Sequence, residues 1–139
     1  MIEHMFDDVR RFTRKAGPIL VQRVPDELPA IQQGWATFEE LVGLRGRKFY
    51  GAVDERAGDY LLCTALKDDD PPDHFGLEVG ELAGGDYLRI VLQGEPPAVY
   101  EQIGPAVRHL HELAPADDQR RDVEYYRRHD VIEVWMPVR

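Results

Sequence analysis

The 139-residue sequence predicts an α+β fold in which a tandem strand–helix–strand–strand repeat forms one antiparallel sheet, with two helices on one face. Three observations support this. Two stretches carry apolar residues at helical spacing: Leu28, Ile31, Trp35, Phe38 and Val42, then Val99, Ile103, Val107, Leu110 and Ala114. Several short runs, such as "PILVQRV", "DYLLCTAL" and "DYLRIVLQG", have the β-branched content or the period-two alternation of strands. The same element order also occurs twice, from Pro18 to Leu66 and from Asp86 to Val138.

Residues 1–16 are mixed and charged. "FDDVRRF" suits a helical turn or two, and the segment is expected to be weakly structured, ahead of a single domain over 17–139. "PILVQRV" is the first predicted strand. Pro25 and Asp26 open a helix whose first turn accommodates Pro29 and whose stop is Gly43. "KFYGAVD" and "DYLLCTAL" follow as strands joined by "ERAG". "LKDDDPPDHFG" lacks the ligand periodicity and internal glycine of a calcium loop, and reads as a solvated acidic loop. "GLEVGEL" is a short strand and "DYLRIVLQG" a longer one. "EPPAVYEQIGPAVRHLHELA" is the second helix, where Pro105 predicts a kink or a frayed first turn. "DVEYYRRHDVIEVWMPV" closes the chain as a hairpin turning at "RRHD".

Composition excludes several function classes. A formal net charge of −9 repels a phosphate backbone, so no nucleic-acid partner is expected; the same field favours cationic partners or simply solubility. No apolar run approaches the roughly 20 residues needed to cross a bilayer, and no membrane partner is expected. The first residues lack a signal-like apolar stretch, and the single cysteine, Cys63, suits a reducing compartment; the chain reads as cytoplasmic.

Strand parity proposes a site. The aliphatic sets Ile132, Val134, Met136 and Leu88, Ile90, Leu92 are expected beneath the helices. Assigning Val123 and Tyr125 to that same side puts Glu124, Tyr126, Trp135 and Tyr87 together on the opposite face. Tyr60 joins them if Cys63 and Ala65 face the helices. Trp35, directed inward from its helix, is counted with them as a ligand-binding residue. Aromatic walls with one carboxylate suit a flat, amphipathic or cationic ligand. The alternative is a set of cross-strand aromatic pairs, with Glu124 neutralised by Arg89 or Arg127.

Other constellations carry less. His109 and His111 lie two apart on a helix and point away from each other; His74 and His129 are isolated. Cys63 has no flanking base and reads as a small core residue. "AGGD" reads as a turn. Glu133 would form an acid–base dyad with Glu124 if the two shared a face; otherwise it is an exposed strand-end residue. No metal and no cofactor is expected.

Three stretches resemble a known family. "GWATFEEL" followed by "KFYGAVDE" resembles a helix with a tryptophan and then a Tyr-Gly strand. "ELAGGDYLRIVLQGEP" and "EYYRRHDVIEVWMPV" resemble two further motifs, the latter with Glu124, Tyr126, Asp130, Pro137 and Val138 in register. In this order they resemble the GyrI-like small-molecule-binding domain, the effector-binding domain of AraC-type and multidrug-responsive regulators, over most of the chain from about Pro18. The resemblance implies the tandem-repeat fold, a ligand cleft on the sheet between the repeats, and Glu124 as the central acid reading the positive charge or polar group of an aromatic compound. Arg89 departs from the family pattern, which has an apolar residue there, and no helix-turn-helix segment is present. Relatives of this kind are implied to be binders for sensing or protection. Others are hydrolases of cyclopropanoid DNA-alkylating natural products, in which Glu124 would be the general base or orient water and Tyr126 and Trp135 would position the electrophile. Others again are interaction modules related to gyrase.

Overall fold

A computed structural model gives the fold and describes residues 8–54 and 56–139. Its elements are β1 (Arg10–Arg14), β2 (Gly17–Pro25), α1 (Leu28–Val42), β3 (Phe49–Asp54), β4 (Asp59–Ala65), β5 (Glu78–Leu82), β6 (Gly85–Gln93), α2 (Ala98–Glu101), α3 (Ile103–Leu113), β7 (Asp122–Arg128) and β8 (Val131–Val138). Pro29 sits in the first turn of α1, where its missing N–H has no helical partner to lose. Gly43 ends α1 at φ 80°, a conformation that favours glycine, and its N–H donates to the Glu39 carbonyl. The second predicted helix is divided. Pro105 has no N–H to offer the Glu101 carbonyl and its ring crowds that position, so α2 stops there and α3 begins two residues later.

The strands form one antiparallel sheet in the order β1-β6-β8-β7-β3-β4-β2-β5. Read outward from the β7–β3 seam, the halves are alike: β3-β4-β2 with α1, and β7-β8-β6 with α2 and α3. This is the tandem strand–helix–strand–strand repeat joined edge to edge. β5 extends one half and β1 the other. The β1 strand corrects the expectation of a weakly structured segment over 1–16: Arg10–Arg14 pairs with Gly85–Arg89. Residues 6–7 of the helical turn suggested for "FDDVRRF" lie outside the described residues, and Arg10–Phe12 is strand.

Two short connections curl the sheet. Residues 15–16 join β1 to β2 and residues 83–84 join β5 to β6, yet each links opposite ends of the strand order. So short a link spans only about 10 Å, which draws the ends together. The links touch: a Cβ on Gly84 would lie 2.5 Å from the Ala16 nitrogen, so only glycine fits. Curling buries the face away from the helices in its own core, where Tyr87 and Trp135 from one half meet Ile19, Val21, Leu61 and Cys63 from the other.

Both helices pack on the remaining face. Phe38 and Val42 of α1 bury against Phe49, Tyr60 and Leu62. Ala106 and Leu110 of α3 bury against Ile90, Ile132, Val134 and Met136. The aliphatic sets of β6 and β8 therefore face α3, as parity predicts. Cys63 does not face a helix; its neighbour Leu62 does, which puts Tyr60 on the helix face. Burial pushes the Cys63 thiol up to about 12, as for a packed, inert core residue.

Candidate ligand cleft

α1 lies over β2 and β4, and α3 over β6 and β8. The two central strands, β3 and β7, run between the helices, and their helix-side residues floor a cleft of about 1280 Å³. Register decides which residues those are. Glu124 pairs with Gly51 and Val134, Tyr126 with Phe49 and Ile132, and Val53 with Tyr60. All of these point to the helix side.

Gly51 makes the arrangement possible. A Cβ there would stand 1.9 Å from the Tyr60 hydroxyl, 2.5 Å from its Cζ and 3.1 Å from Glu124 Oε1. The Tyr60 ring lies across the bare glycine, and its hydroxyl donates to Glu124 Oε1 at 2.8 Å. The Tyr126 hydroxyl donates to the same oxygen at 2.6 Å, with the two phenols 3.3 Å apart. Trp35 closes over the pair, edge-on to Tyr126 at 5.3 Å and to Tyr60 at 6.4 Å between ring centroids.

Burial raises the Glu124 carboxyl above its ordinary range. The phenol donors pull the other way, and the negative charges of Asp26 and Asp122 add to the rise. Both phenols are pushed well above the ordinary tyrosine range by burial and by the Glu124 charge, so they remain protonated donors. No arginine, lysine or histidine forms an ion pair with Glu124 among the described residues. Arg89 and Arg127, the partners considered from sequence, pair instead with Glu133 at 3.7 and 3.5 Å on the other face. Glu133 is buried there and accepts from Trp135 Nε1 at 3.0 Å, so it neither shares a face with Glu124 nor lies exposed.

Of the predicted site residues, Glu124, Tyr126, Tyr60 and Trp35 come together, while Tyr87 and Trp135 do not. Trp135 pairs with Val123, not with a helix-side residue, and is 5% exposed. It contacts Phe12, Tyr50, Tyr87 and Tyr125 on the curled face, with the Arg14 guanidinium over its ring at 5.5 Å. The error is one of parity in β7. A register shift between Tyr126 and Arg128 sets the hairpin so that Glu124 lies beside Val134, and the site faces the helices instead of turning away from them.

Several cleft residues were not anticipated. Phe49, Ile31, Leu28 and Tyr100 supply apolar wall and rim, the last two largely exposed. His111, at the end of α3, meets Asp122 at 2.7 Å, and both line the cleft. Arg47 also lines it and forms a buried ion pair with Asp70, with Phe75 stacked beneath the guanidinium at 5.4 Å. Asp70 thus corrects the solvated reading of the acidic loop, although Asp68, Asp69 and Asp73 are exposed. Glu95, His129 and Asp130 place ligand atoms within 4.8 Å of one another at the β7–β8 turn; Glu95 and His129 are exposed. No described helix is long and apolar enough to cross a membrane.

No family model matches the sequence, and no curated protein matches it. Solved structures do match. An integron cassette protein from the mobile metagenome of Vibrio cholerae superposes with a TM-score of 0.71 at 20% identity, covering 96% of this chain and 97% of that one. The protein SAV2435, bound to tetraphenylphosphonium, gives 0.65 at 21% identity, covering 95% and 94%. A structure described as a hydrolase from Listeria innocua gives 0.54 at 9% identity, covering 94% and 91%. This chain shares its α+β fold with these structures, as the resemblance to the GyrI-like domain implies.

Proposed function

We propose that this protein binds small amphipathic or cationic aromatic molecules in the cleft between its helices, with Glu124 as counter-charge, in a role of sensing or protection. One observation carries the reading: Glu124 sits in an aromatic cleft with neutral phenols, and no cation, as its hydrogen-bonding partners among the described residues. A carboxylate so placed, once ionised, is not already neutralised by a protein cation, and the surrounding low-polarity wall strengthens its attraction for an incoming one. Ring faces add roughly 0.5–2 kcal/mol per cation contact. The tetraphenylphosphonium held by a protein of the same fold is a cation of this kind. Glu124→Gln keeps size and hydrogen-bonding capacity while removing charge. It is expected to weaken binding of a cationic aromatic dye by about tenfold to a hundredfold, and that of a neutral isostere far less. Equal losses for both ligands in titration calorimetry would dismiss the counter-charge role.

A second reading, hydrolysis of an electrophilic natural product, has one observation in its favour. The Glu124 carboxyl is raised above its ordinary range and lies beside two phenol donors, as a base that orients water beside hydroxyls that hold the electrophile would. Mass spectrometry of a bound electrophile over time separates the readings, because only the hydrolase consumes it.

A further inference from the structure

The two oxygens of Glu124 have different surroundings. Oε1 accepts from both Tyr60 and Tyr126, at 2.8 and 2.6 Å, which leaves it little capacity for another donor. Oε2 accepts no hydrogen bond among the described residues. Nor is it sealed in: among the described residues the buried side-chain polar atom left without a partner is Arg89 Nε, on the other face, and not Oε2. Oε2 is therefore left unpaired by the protein at a residue that lines the cleft. The adjacent phenols cannot turn to serve it without leaving Oε1, because Tyr60 is fixed over Gly51 and Tyr126 is held by Trp35.

A ligand that fills the cleft excludes solvent from Oε2. If its cationic centre carries an N–H, the proton replaces the lost bond with a charge-assisted one along the Oε2 lone pair. If the centre is fully alkylated, the charge is still attracted, but Oε2 is left desolvated and unpaired, which is costly for an ionised oxygen. We propose that the cleft selects protonated amines, bearing at least one N–H on a lipophilic aromatic body, over fully quaternised onium ions of the same shape. The inference rests on the cation-binding reading above and specifies the chemistry of the ligand's charged group. Tyr60 and Tyr126 then act as positioning residues: by occupying Oε1 they fix the direction from which a donor can approach.

The test uses a matched pair, (1-naphthylmethyl)dimethylammonium and (1-naphthylmethyl)trimethylammonium, which differ by one methyl group in place of one N–H. Both are titrated calorimetrically into the full chain at pH 7.5 and fixed salt. The dimethyl ligand is expected to bind about tenfold to a hundredfold more tightly than the trimethyl ligand, as one charge-assisted hydrogen bond implies. In Glu124→Gln the two phenol donors require the amide oxygen at the Oε1 position, which puts the amide NH2, a donor, where Oε2 stood; with folding checked by circular dichroism, this ratio should collapse towards unity. Equal affinities, or tighter trimethyl binding, with both ligands still weakened by Glu124→Gln, overturn the N–H selectivity and leave the counter-charge reading standing. A ratio unchanged in Glu124→Gln also overturns it, since the donor would then be satisfied elsewhere. Failure of both ligands to bind overturns the inference together with the reading on which it rests.

Discussion

Gly51→Ala tests the geometry on which the site depends. The added methyl would lie 1.9 Å from the Tyr60 hydroxyl and 2.5 Å from its Cζ, far inside contact distance, so the ring must move. It has nowhere easy to go: Tyr60 is 3% exposed and packs among Phe38, Phe49 and Leu62. Overpacking of this kind costs about 1–3 kcal/mol. Loss of the Tyr60–Glu124 hydrogen bond, donated to a charged group, adds about 1.5–3 kcal/mol. The two terms overlap, because the move that relieves the clash is the one that breaks the bond. A loss of roughly 2–5 kcal/mol follows. At about 3 °C per kcal/mol for a chain of this size, the midpoint of thermal unfolding should fall by roughly 6–15 °C. Urea unfolding with an unchanged m-value, read alongside differential scanning calorimetry, measures it. A variant within about 0.5 kcal/mol of the parent would refute the reasoning, since that is the range of an ordinary surface change.

Other expectations follow from the same geometry. Because the folded-state Glu124 pKa is raised above 4.5, the native state holds its proton more tightly; stability should fall as pH rises from that value through the folded pKa, and Glu124→Gln should remove that component in pH-dependent urea melts. Over the same window, affinity for a permanent cation should rise by at most about tenfold per pH unit, and Glu124→Gln should flatten the profile. Trp135→Leu should destabilise by about 2–4 kcal/mol, as its 5% exposure implies, while leaving cation affinity in the cleft within about twofold; a large affinity loss in a folded variant would return Trp135 to the site. Arg47→Ala strands the buried Asp70 carboxylate and should cost about 3–5 kcal/mol in chemical denaturation.

Apart from β1, the identity and order of the elements were legible in the sequence because the signals that set them are local. Helical spacing from Leu28 to Val42, Pro29 at one end and Gly43 at the other determine α1 with no knowledge of what it packs on. Pro105 foretold the break between α2 and α3 in the same way. The acid and its aromatic neighbours could also be nominated, since a glutamate between valine and two tyrosines in a strand is conspicuous wherever it points. Which face it points to was another matter. A strand such as β7, lying between two helices, carries apolar groups on both sides, so hydrophobicity gives its parity no preferred sign. The register shift at the β7–β8 hairpin supplies that sign, and it put Glu124 beside Tyr60 and Trp35 and sent Trp135 to the curled face. β1 escaped notice because it is a short, charged edge strand whose order comes from pairing with β6. The partners of Arg89, Glu133 and Asp70 were likewise decided only in three dimensions, since each bond joins residues whose separation in sequence says nothing of their distance once the sheet has curled.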